Sequence, residues 1–299
     1  MSFKFHEPVM NDEIKDYLNL APGKIIVDAT IGTAGHSLSI LEKISPGGKL
    51  VGIDRDEESL AVARERLKGF KGTCEFAQSN FLDLESVLQG VGVERIDGIL
   101  FDLGVSSFQL ENAERGFSFV KDGPLDMRLD RKSYISAYDL VNNLNKEEIS
   151  LMLRNFGQER WHNRIARYMV EERQHKPIAT TLQLSEIVTR AIPPRYRHRY
   201  RRIHPATRTF QAIRIAVNRE LEVLEQAIEK AVNLLNSTAR ICIISFHSLE
   251  DRIAKHTLRR LSSAGIVKII TAKPLRPGDE ETRANPKSRS AKLRVAERL

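Results

Sequence analysis

Short apolar runs alternate with helical periodicity along this chain, in an order typical of an α/β sheet. Runs of strand length predict strands near residues 24–27, 48–53, 73–77 and 96–101, and later near 239–246, 265–272 and 291–297. The segments between the first four runs carry apolar residues at helical spacing, such as Leu60, Ala63 and Leu67. The pattern therefore predicts an α/β fold with seven strands. We expect the last strand at an edge of the sheet, with no helix between the final two strands.

Between the fourth and fifth strands the pattern is helical. Asn145 and Glu148 match a capping box at the start of one helix, and further helices are predicted near 158–174 and 182–192. One long amphipathic helix is predicted over 207–235. The chain therefore divides into a sheet domain in two parts, 1–108 and 207–299, and an inserted helical domain, 109–206.

The first predicted strand runs into a glycine-containing turn. Asp28 closes the strand, and Gly32 and Gly35 follow before a helix that begins near His36. Small residues in such a turn let the backbone approach a ligand at the carboxyl edge of the sheet. An ordinary tight turn between strand and helix is the alternative.

The second predicted strand also ends in a carboxylate, Asp54, which is placed to accept hydrogen bonds from the hydroxyls of a ribose. Nicotinamide enzymes and methyltransferases that use S-adenosylmethionine share this feature. The turn sequence, residues 32–37, does not match the Gly-x-Gly-x-x-Gly pattern that admits a pyrophosphate. The sequence therefore favours a methyltransferase over a nicotinamide oxidoreductase.

Phe81 and Asp102 follow the third and fourth predicted strands. Phe81 either faces an adenine ring or packs in the core. Asp102 either contacts the methyl acceptor and the cofactor or caps a turn. The loop from Asp102 to Ser107 has no cysteine, which argues against a covalent carbon-5 cytosine methylation. Methylation of an exocyclic amine needs positioning and hydrogen bonding instead.

The predicted insertion contains aromatic and basic groups that suit a nucleic acid. Phe117 and Phe119 either hold a flipped base or anchor their loop on the core. The most basic run of the chain contains Tyr196, Tyr200 and the arginines Arg195, Arg197, Arg199, Arg201, Arg202 and Arg208. Arginine suits phosphates and tyrosine suits unpaired bases, although such a run can also be a solvated face. Beyond it, His247 either serves the site or caps the helix that follows.

The composition of the chain adds one main expectation, that the protein binds a polyanionic partner. The formal net charge is +8 and the isoelectric point is near 9.5. No apolar run has the length of a membrane helix. We interpret the two cysteines, Cys74 and Cys242, as buried thiols in a reducing cytoplasm.

Several long motifs of the chain, in this order, resemble those of the bacterial 16S ribosomal RNA (cytosine-N4)-methyltransferases. They are Phe5-His-Glu-Pro-Val9, Asp28-Ala-Thr-x-Gly-Thr-Ala-Gly-His36, Phe101-Asp-Leu-Gly-Val-Ser-Ser107, Arg115-Gly-Phe-Ser-Phe119, Asp122-Gly-Pro-Leu-Asp-Met-Arg128, His204-Pro-Ala-Thr-Arg-x-Phe-Gln-Ala-x-Arg214, Ile244-Ser-Phe-His-Ser-Leu-Glu-Asp-Arg252 and Asn285-Pro-Lys-Ser-Arg-Ser-Ala-Lys-Leu-Arg294. The resemblance covers nearly the whole chain. It implies a class I methyltransferase (Rossmann-like) sheet with seven strands and a helical insertion for substrate recognition.

The resemblance also implies a reaction and a set of contacts. The reaction is methylation of N4 of a cytosine in the decoding (P-site) region of 16S ribosomal RNA in the small subunit, with S-adenosylmethionine as donor and no metal. The residues that match cofactor contacts of the family are Ala34, Gly35, His36, Asp54, Phe81, Asp102 and Gln109. Asp102 is the candidate acceptor of the amine proton. The family usually has glycine at the position of Ala34, where alanine disfavours a positive φ. The oligomeric state, monomer or homodimer, stays open.

Overall fold

The computed structural model of the protein describes residues 8–70, 73–197 and 204–299. Its strands are β1 (Ile25–Asp28), β2 (Lys49–Asp54), β3 (Cys74–Gln78), β4 (Ile96–Asp102), β5 (Leu235–Ser245), β6 (Val267–Ile269) and β7 (Lys292–Arg298). Its helices are α1 (Asn11–Tyr17), α2 (Gly35–Ile44), α3 (Glu57–Arg66), α4 (Leu84–Gly90), α5 (Ser107–Glu111), α6 (Ala137–Asn143), α7 (Lys146–Gly157), α8 (His162–Arg173), α9 (Thr181–Ala191), α10 (Pro194–Arg197), α11 (Thr207–Asn218), α12 (Glu220–Leu234), α13 (Ser248–Ser263) and α14 (Asp279–Ala284). Within these ranges, no helix combines the length and the apolar character needed to span a bilayer.

The seven strands form one sheet in the order β3-β2-β1-β4-β5-β7-β6, which confirms the predicted class I methyltransferase fold. Strands β1 to β5 pair in parallel, and β7 runs antiparallel to both β5 and β6. The predicted edge position of the last strand is wrong, because β7 lies between β5 and β6. Leu293 and Val295 of β7 are fully buried, as an inner strand requires. The short helix α14 also lies between β6 and β7, where none was expected.

Two apolar clusters, one on each face of the sheet, hold the strands. Alternate residues of β4 point to opposite faces, so Phe101 packs in one cluster and Leu100 in the other. The first cluster receives α4, α12 and α13, and the second receives α1, α2 and α3. Helices on both faces leave the carboxyl ends of the parallel strands as the edge where a ligand can bind.

The chain folds as two compact units. One consists of the described residues up to Gly104 together with Leu221–Leu299 and contains the sheet, and the other is Val105–Glu220 and is helical. The sequence placed the insertion at 109–206. The observed unit extends to Glu220 because Phe210, Ala212 and Ile213 of α11 pack into the same apolar cluster as α7. The role of this unit in substrate recognition stays a prediction.

The single long helix predicted over 207–235 is wrong, because the structure has two helices there. Arg219 adopts a left-handed conformation with a φ of 52° and separates α11 from α12. The amide of Asn218 donates to the carbonyl of Met127 at 2.7 Å, and its oxygen accepts from the backbone N–H of Leu129 at 2.8 Å. These contacts hold the end of α11 at a point that local periodicity cannot reveal.

Candidate active site

The turn after β1 is organised by the buried carboxylate of Asp28. The hydroxyl of Ser37 in α2 donates to Asp28 Oδ2 at 2.6 Å, and the backbone N–H of Thr30 donates to Oδ1 at 3.3 Å. Burial raises the pKa of Asp28, while the Ser37 hydroxyl opposes the rise. Asp28 therefore joins the strand to the helix and holds the turn between them.

Ala34 takes up the left-handed conformation that the sequence marked as unfavourable for alanine. Its φ is 62° and its ψ is 38°, it is fully buried, and it occupies the position before α2. A side chain with a Cβ is strained there, and glycine is not. Gly35 follows with little free space, because a Cβ added to it would lie 3.2 Å from Cβ of Pro8. The turn is thus compact, with small residues at both positions. Residues 5–7 of the first motif lie outside the described ranges.

Asp54, the predicted ribose ligand, is half-buried beside the same turn. Its Oδ2 accepts from the backbone N–H of Gly32 at 2.8 Å, and its Oδ1 accepts from the N–H of Asp56 at 2.9 Å. Burial raises the pKa of Asp54 to about 6, although both amide donors favour the charged form. A carboxylate has further lone pairs on each oxygen, so Asp54 can still accept hydrogen bonds from two ligand hydroxyls.

Phe81 follows β3 and lies at the start of a short turn that Asn80 caps. Its ring packs edge to face against Phe101 at a centroid distance of 5.6 Å, and it is half-buried against the core. Part of the Phe81 ring thus packs on the core. Both interpretations from the sequence, a core residue and a face for adenine, are compatible with this placement.

Asp102 and His36 carry unpartnered polar atoms at the end of β4. The buried Oδ1 of Asp102 and both ring nitrogens of His36 have no hydrogen-bond partner in the part of the chain that the structure describes. His36 Nε2 lies 3.6 Å from Asp102 Oδ2. The backbone N–H of Asp102 donates to Thr30 Oγ1 at 2.7 Å, which fixes the end of the strand against the turn. Buried polar atoms without partners are unfavourable unless a ligand or water satisfies them, so this pair fits a polar ligand.

Gln109 belongs to the helical unit, where it is buried at the start of α5. Its side-chain oxygen accepts from the N–H of Ser106 at 2.9 Å, and its own N–H donates to Ser106 Oγ at 3.2 Å. This is a capping box. The predicted contact of Gln109 with the cofactor stays a prediction.

The basic run is described only in part. Arg199, Arg201 and Arg202 lie outside the described residues, as does the side chain of Arg197. Arg195 lies over the ring of Tyr196 at 4.9 Å, and Arg208 donates to the carbonyl of Gln158 at 3.2 Å. Tyr196 also packs on Trp161, with a centroid distance of 5.0 Å. At the described start of the run, the exposed Arg195 therefore lies beside aromatic faces.

Phe117, Phe119 and His247, for which the sequence left alternatives open, each have a structural role in the fold. Phe119 stacks on His204 at 4.5 Å and packs against Phe210, while Phe117 is buried, so both rings anchor their loop within the helical unit. His247 caps α13, and its Nδ1 accepts from the N–H of Glu250 at 3.4 Å.

Sequence reasoning missed Thr30 and Ser37. Both hydroxyls contact the groups that close β1 and β4, as described above. A signal was present, because Thr30 lies two residues and Ser37 nine residues after Asp28, at the glycine-containing turn. Hydroxyl residues are common in turns for local reasons, so their spacing alone did not separate them from ordinary turn residues.

Comparison with known proteins gives full-length matches. A model of the MraW methylase family matches residues 3–299. Ribosomal RNA small subunit methyltransferase H of Clostridium botulinum (strain 657 / Type Ba4) is 45% identical over 314 residues, which cover 100% of both chains. The protein of the same name from Clostridioides difficile (strain 630) is 45% identical over 98% of this chain and 99% of its own. The one from Sulfurihydrogenibium sp. (strain YO3AOP1) is 47% identical, with the same coverage.

Proposed function

Because the chain belongs to the MraW methylase family, we propose that it transfers a methyl group from S-adenosylmethionine to N4 of a cytosine in the decoding region of 16S ribosomal RNA. The observation that carries the proposal is the unpartnered polar edge of Asp102 and His36, in a chain whose full-length relatives are named small subunit ribosomal RNA methyltransferases. The choice of N4 and of the decoding region rests on the motif resemblance.

The residues around the turn after β1 fit S-adenosylmethionine. The turn at Ala34 and Gly35 has only small side chains beside the backbone, Asp54 offers acceptors for ribose hydroxyls, and the Phe81 ring can lie beside adenine. Asp102 and His36 supply polar atoms in need of partners. When bound, S-adenosylmethionine supplies an electrophilic methyl group on a sulfonium.

Asp102 Oδ1 is the group that we assign to the acceptor amine. It can accept a hydrogen bond from the N4 amino group, which orients the nitrogen lone pair out of conjugation with the ring. Formation of the N–C bond would break the methyl–sulfur bond and leave its electron pair with the departing cofactor, so N4 would have to lose a proton. We assign the acceptance of this proton to Asp102.

Neither cysteine is suited to a covalent alternative. Burial raises the pKa of the Cys242 thiol, which is fully buried in β5, and burial also raises that of Cys74. Thiols held in the protonated form are poor nucleophiles. Carbon-5 methylation of cytosine needs a thiolate to attack the ring, so this observation supports an amine acceptor.

The proposal is tested with small ribosomal subunits that lack the modification and with labelled S-adenosylmethionine. We expect labelled N4-methylcytidine, identified by mass spectrometry and mapped to the decoding region. Label on a different nucleoside would overturn the choice of N4 but retain the methyltransferase. Cofactor binding without transfer to subunits or to free 16S RNA would overturn the RNA substrate.

The described arginines of the basic run should contribute to binding through phosphates. Arg195→Ala combined with Arg208→Ala is expected to weaken binding to the subunit and to reduce the slope of log affinity against log salt by about 1–2. Filter binding over a range of salt concentrations measures this. Arg190→Ala is the matched control, because Arg190 is an exposed arginine of the helical unit that already pairs with Glu172 at 2.6 Å. An unchanged slope in the double variant would place the RNA contact elsewhere.

A further inference from the structure

The turn between Asp130 and Tyr138 in the helical unit presents large apolar side chains to solvent. Tyr134 is 98% exposed, Ile135 is 54% exposed and Tyr138 is 39% exposed. Exposed apolar side chains scattered singly are ordinary, whereas here three occur within five residues. Arg131 and Lys132, both exposed, precede Tyr134 with Ser133 between them. We call residues 130–138 the tyrosine turn.

The backbone of the tyrosine turn is held in place on both sides of Tyr134. On one side, the N–H of Ser133 donates to the carbonyl of Asp130 at 3.0 Å, and Arg128 Nη1 donates to the carbonyl of Ser133 at 2.7 Å. Arg128 is itself fixed by two hydrogen bonds to Asp126, at 3.0 and 2.7 Å. The aromatic ring thus projects from a braced turn.

On the other side, Ser136 and Asp139 form the capping box of α6. The N–H of Ala137 donates to the carbonyl of Asp126 at 2.7 Å, and that of Tyr138 donates to the carbonyl of Leu125 at 2.7 Å. A side chain presented by a fixed backbone loses less entropy on binding than one on a flexible loop. The arrangement is therefore suited to recognition.

The charges of the tyrosine turn favour an anionic partner. Asp130 Oδ1 accepts from the N–H of Lys132 at 2.9 Å, and Asp139 Oδ2 accepts from Ser136. Both of these aspartates are partly buried, and Arg131 and Lys132 are exposed, with Arg131 Nη2 also donating to the carbonyl of Glu114 at 3.5 Å. Solvent-facing cations beside an exposed aromatic ring are the combination that binds single-stranded nucleic acid.

We propose that the tyrosine turn is an RNA contact, in which Tyr134 stacks on an unpaired base and Arg131 and Lys132 bind the neighbouring phosphates. The inference rests on the proposed ribosomal RNA substrate and adds a surface separate in sequence from the run of arginines that begins at Arg195. The two flanking cations favour RNA over a partner protein with an apolar surface.

The test compares Tyr134→Ala, Tyr134→Phe and the double change Arg131→Ala/Lys132→Ala with the unchanged protein. We expect Tyr134→Ala to weaken binding to small subunits about 10-fold, since stacking on an aromatic side chain contributes on that scale. Tyr134→Phe should bind as the unchanged protein does, because the ring remains. The double change should reduce the salt slope. Cofactor affinity and kcat at saturating subunits should not change in any of the three.

Leu151→Ala is the control, because Leu151 is another exposed apolar residue of the helical unit, 56% exposed on α7. It should leave subunit affinity unchanged. If Tyr134→Ala and the unchanged protein bound subunits with equal affinity, in a preparation that methylates subunits, the tyrosine turn would not be an RNA contact. The proposed function would be unaffected. A change in sedimentation of the free protein with Tyr134→Ala would assign the tyrosine turn to a second copy of the chain and also overturn the RNA contact. If the unchanged protein itself did not bind small subunits, the result would instead contradict the proposed function.

Discussion

Replacing Asp102 by alanine is expected to lower kcat for methyl transfer by about 100-fold or more, the scale on which proton transfer and oriented hydrogen bonds contribute to catalysis. The reason is the buried Oδ1 of Asp102, which has no partner among the described residues and lies at the carboxyl end of β4. The hydrogen bond from the backbone N–H of Asp102 to Thr30 does not involve the carboxylate of Asp102, so the variant should still fold. Labelled methyl transfer at saturating cofactor and subunits measures the effect.

A matched control exists on the same strand. Asp97 lies near the other end of β4, where its carboxylate accepts from the N–H of Ile25 at 2.9 Å and from Asn236 Nδ2 at 2.9 Å. Asp97→Asn should lower thermal stability slightly and leave kcat unchanged. If Asp102→Ala retained full kcat with a normal melting temperature, Asp102 would have no catalytic part. A loss of cofactor affinity with normal kcat would limit its role to cofactor binding.

Cofactor binding should strengthen about 10-fold between pH 5 and pH 7, because burial raises the pKa of Asp54 to about 6. The charged carboxylate is the form that accepts hydrogen bonds from two hydroxyls, and below pH 6 most of the free protein carries the protonated form. Asp54→Asn should bind S-adenosylmethionine more weakly at pH 7 and should lose this pH dependence. Isothermal titration calorimetry across the pH range measures both effects.

The same shift in pKa has a consequence for the stability of the ligand-free protein. The folded-state pKa of Asp54 lies above its usual value of 3.8, so the folded state holds this proton more tightly than the unfolded chain does. The contribution of Asp54 to the free energy of unfolding is therefore present below pH 4 and is lost as the pH rises to about 6. This loss should be absent in Asp54→Asn.

Asp56→Asn provides the comparison for both measurements. Asp56 caps α3 by accepting from the N–H of Glu58 at 3.1 Å, and asparagine caps helices equally well. Removal of its charge takes away a repulsion that raises the pKa of Asp54, so the pH dependence should remain and shift to lower pH. A pH dependence of equal size in Asp54→Asn and the unchanged protein would contradict the assignment to Asp54.

Two other classes of function are separated by simple observations. A ribosome-assembly factor without activity would bind subunits without transferring a methyl group, whatever the state of Asp102. A nicotinamide oxidoreductase would show a higher melting temperature with NAD. The turn at Ala34 argues against it, because that turn lacks the glycine pattern for a pyrophosphate.

The positions of three carboxylates at the edge of the sheet were predictable because each closes a strand that the sequence shows clearly. Apolar runs ending in Asp28, Asp54 and Asp102 mark strands of a parallel sheet, and the carboxyl ends of parallel strands lie at one edge. The sequence could not show that the three carboxylates have different roles. Asp28 is buried and bonded to Ser37, whereas Asp102 keeps an unpartnered oxygen, and that difference depends on packing by α2 and on Thr30.

By itself, then, the sequence determined the α/β class, the seven strands, the helical insertion and the membership of a methyltransferase family, since these depend on local periodicity and on contiguous motifs. Tertiary structure alone decided the place of β7 between β5 and β6, because strand pairing joins residues far apart in the chain. It also decided the break at Arg219, where Asn218 bonds to backbone groups about ninety residues away. Finally, it decided that Phe119 is packed while Tyr134 is exposed, because a side chain's burial depends on what the rest of the fold brings beside it.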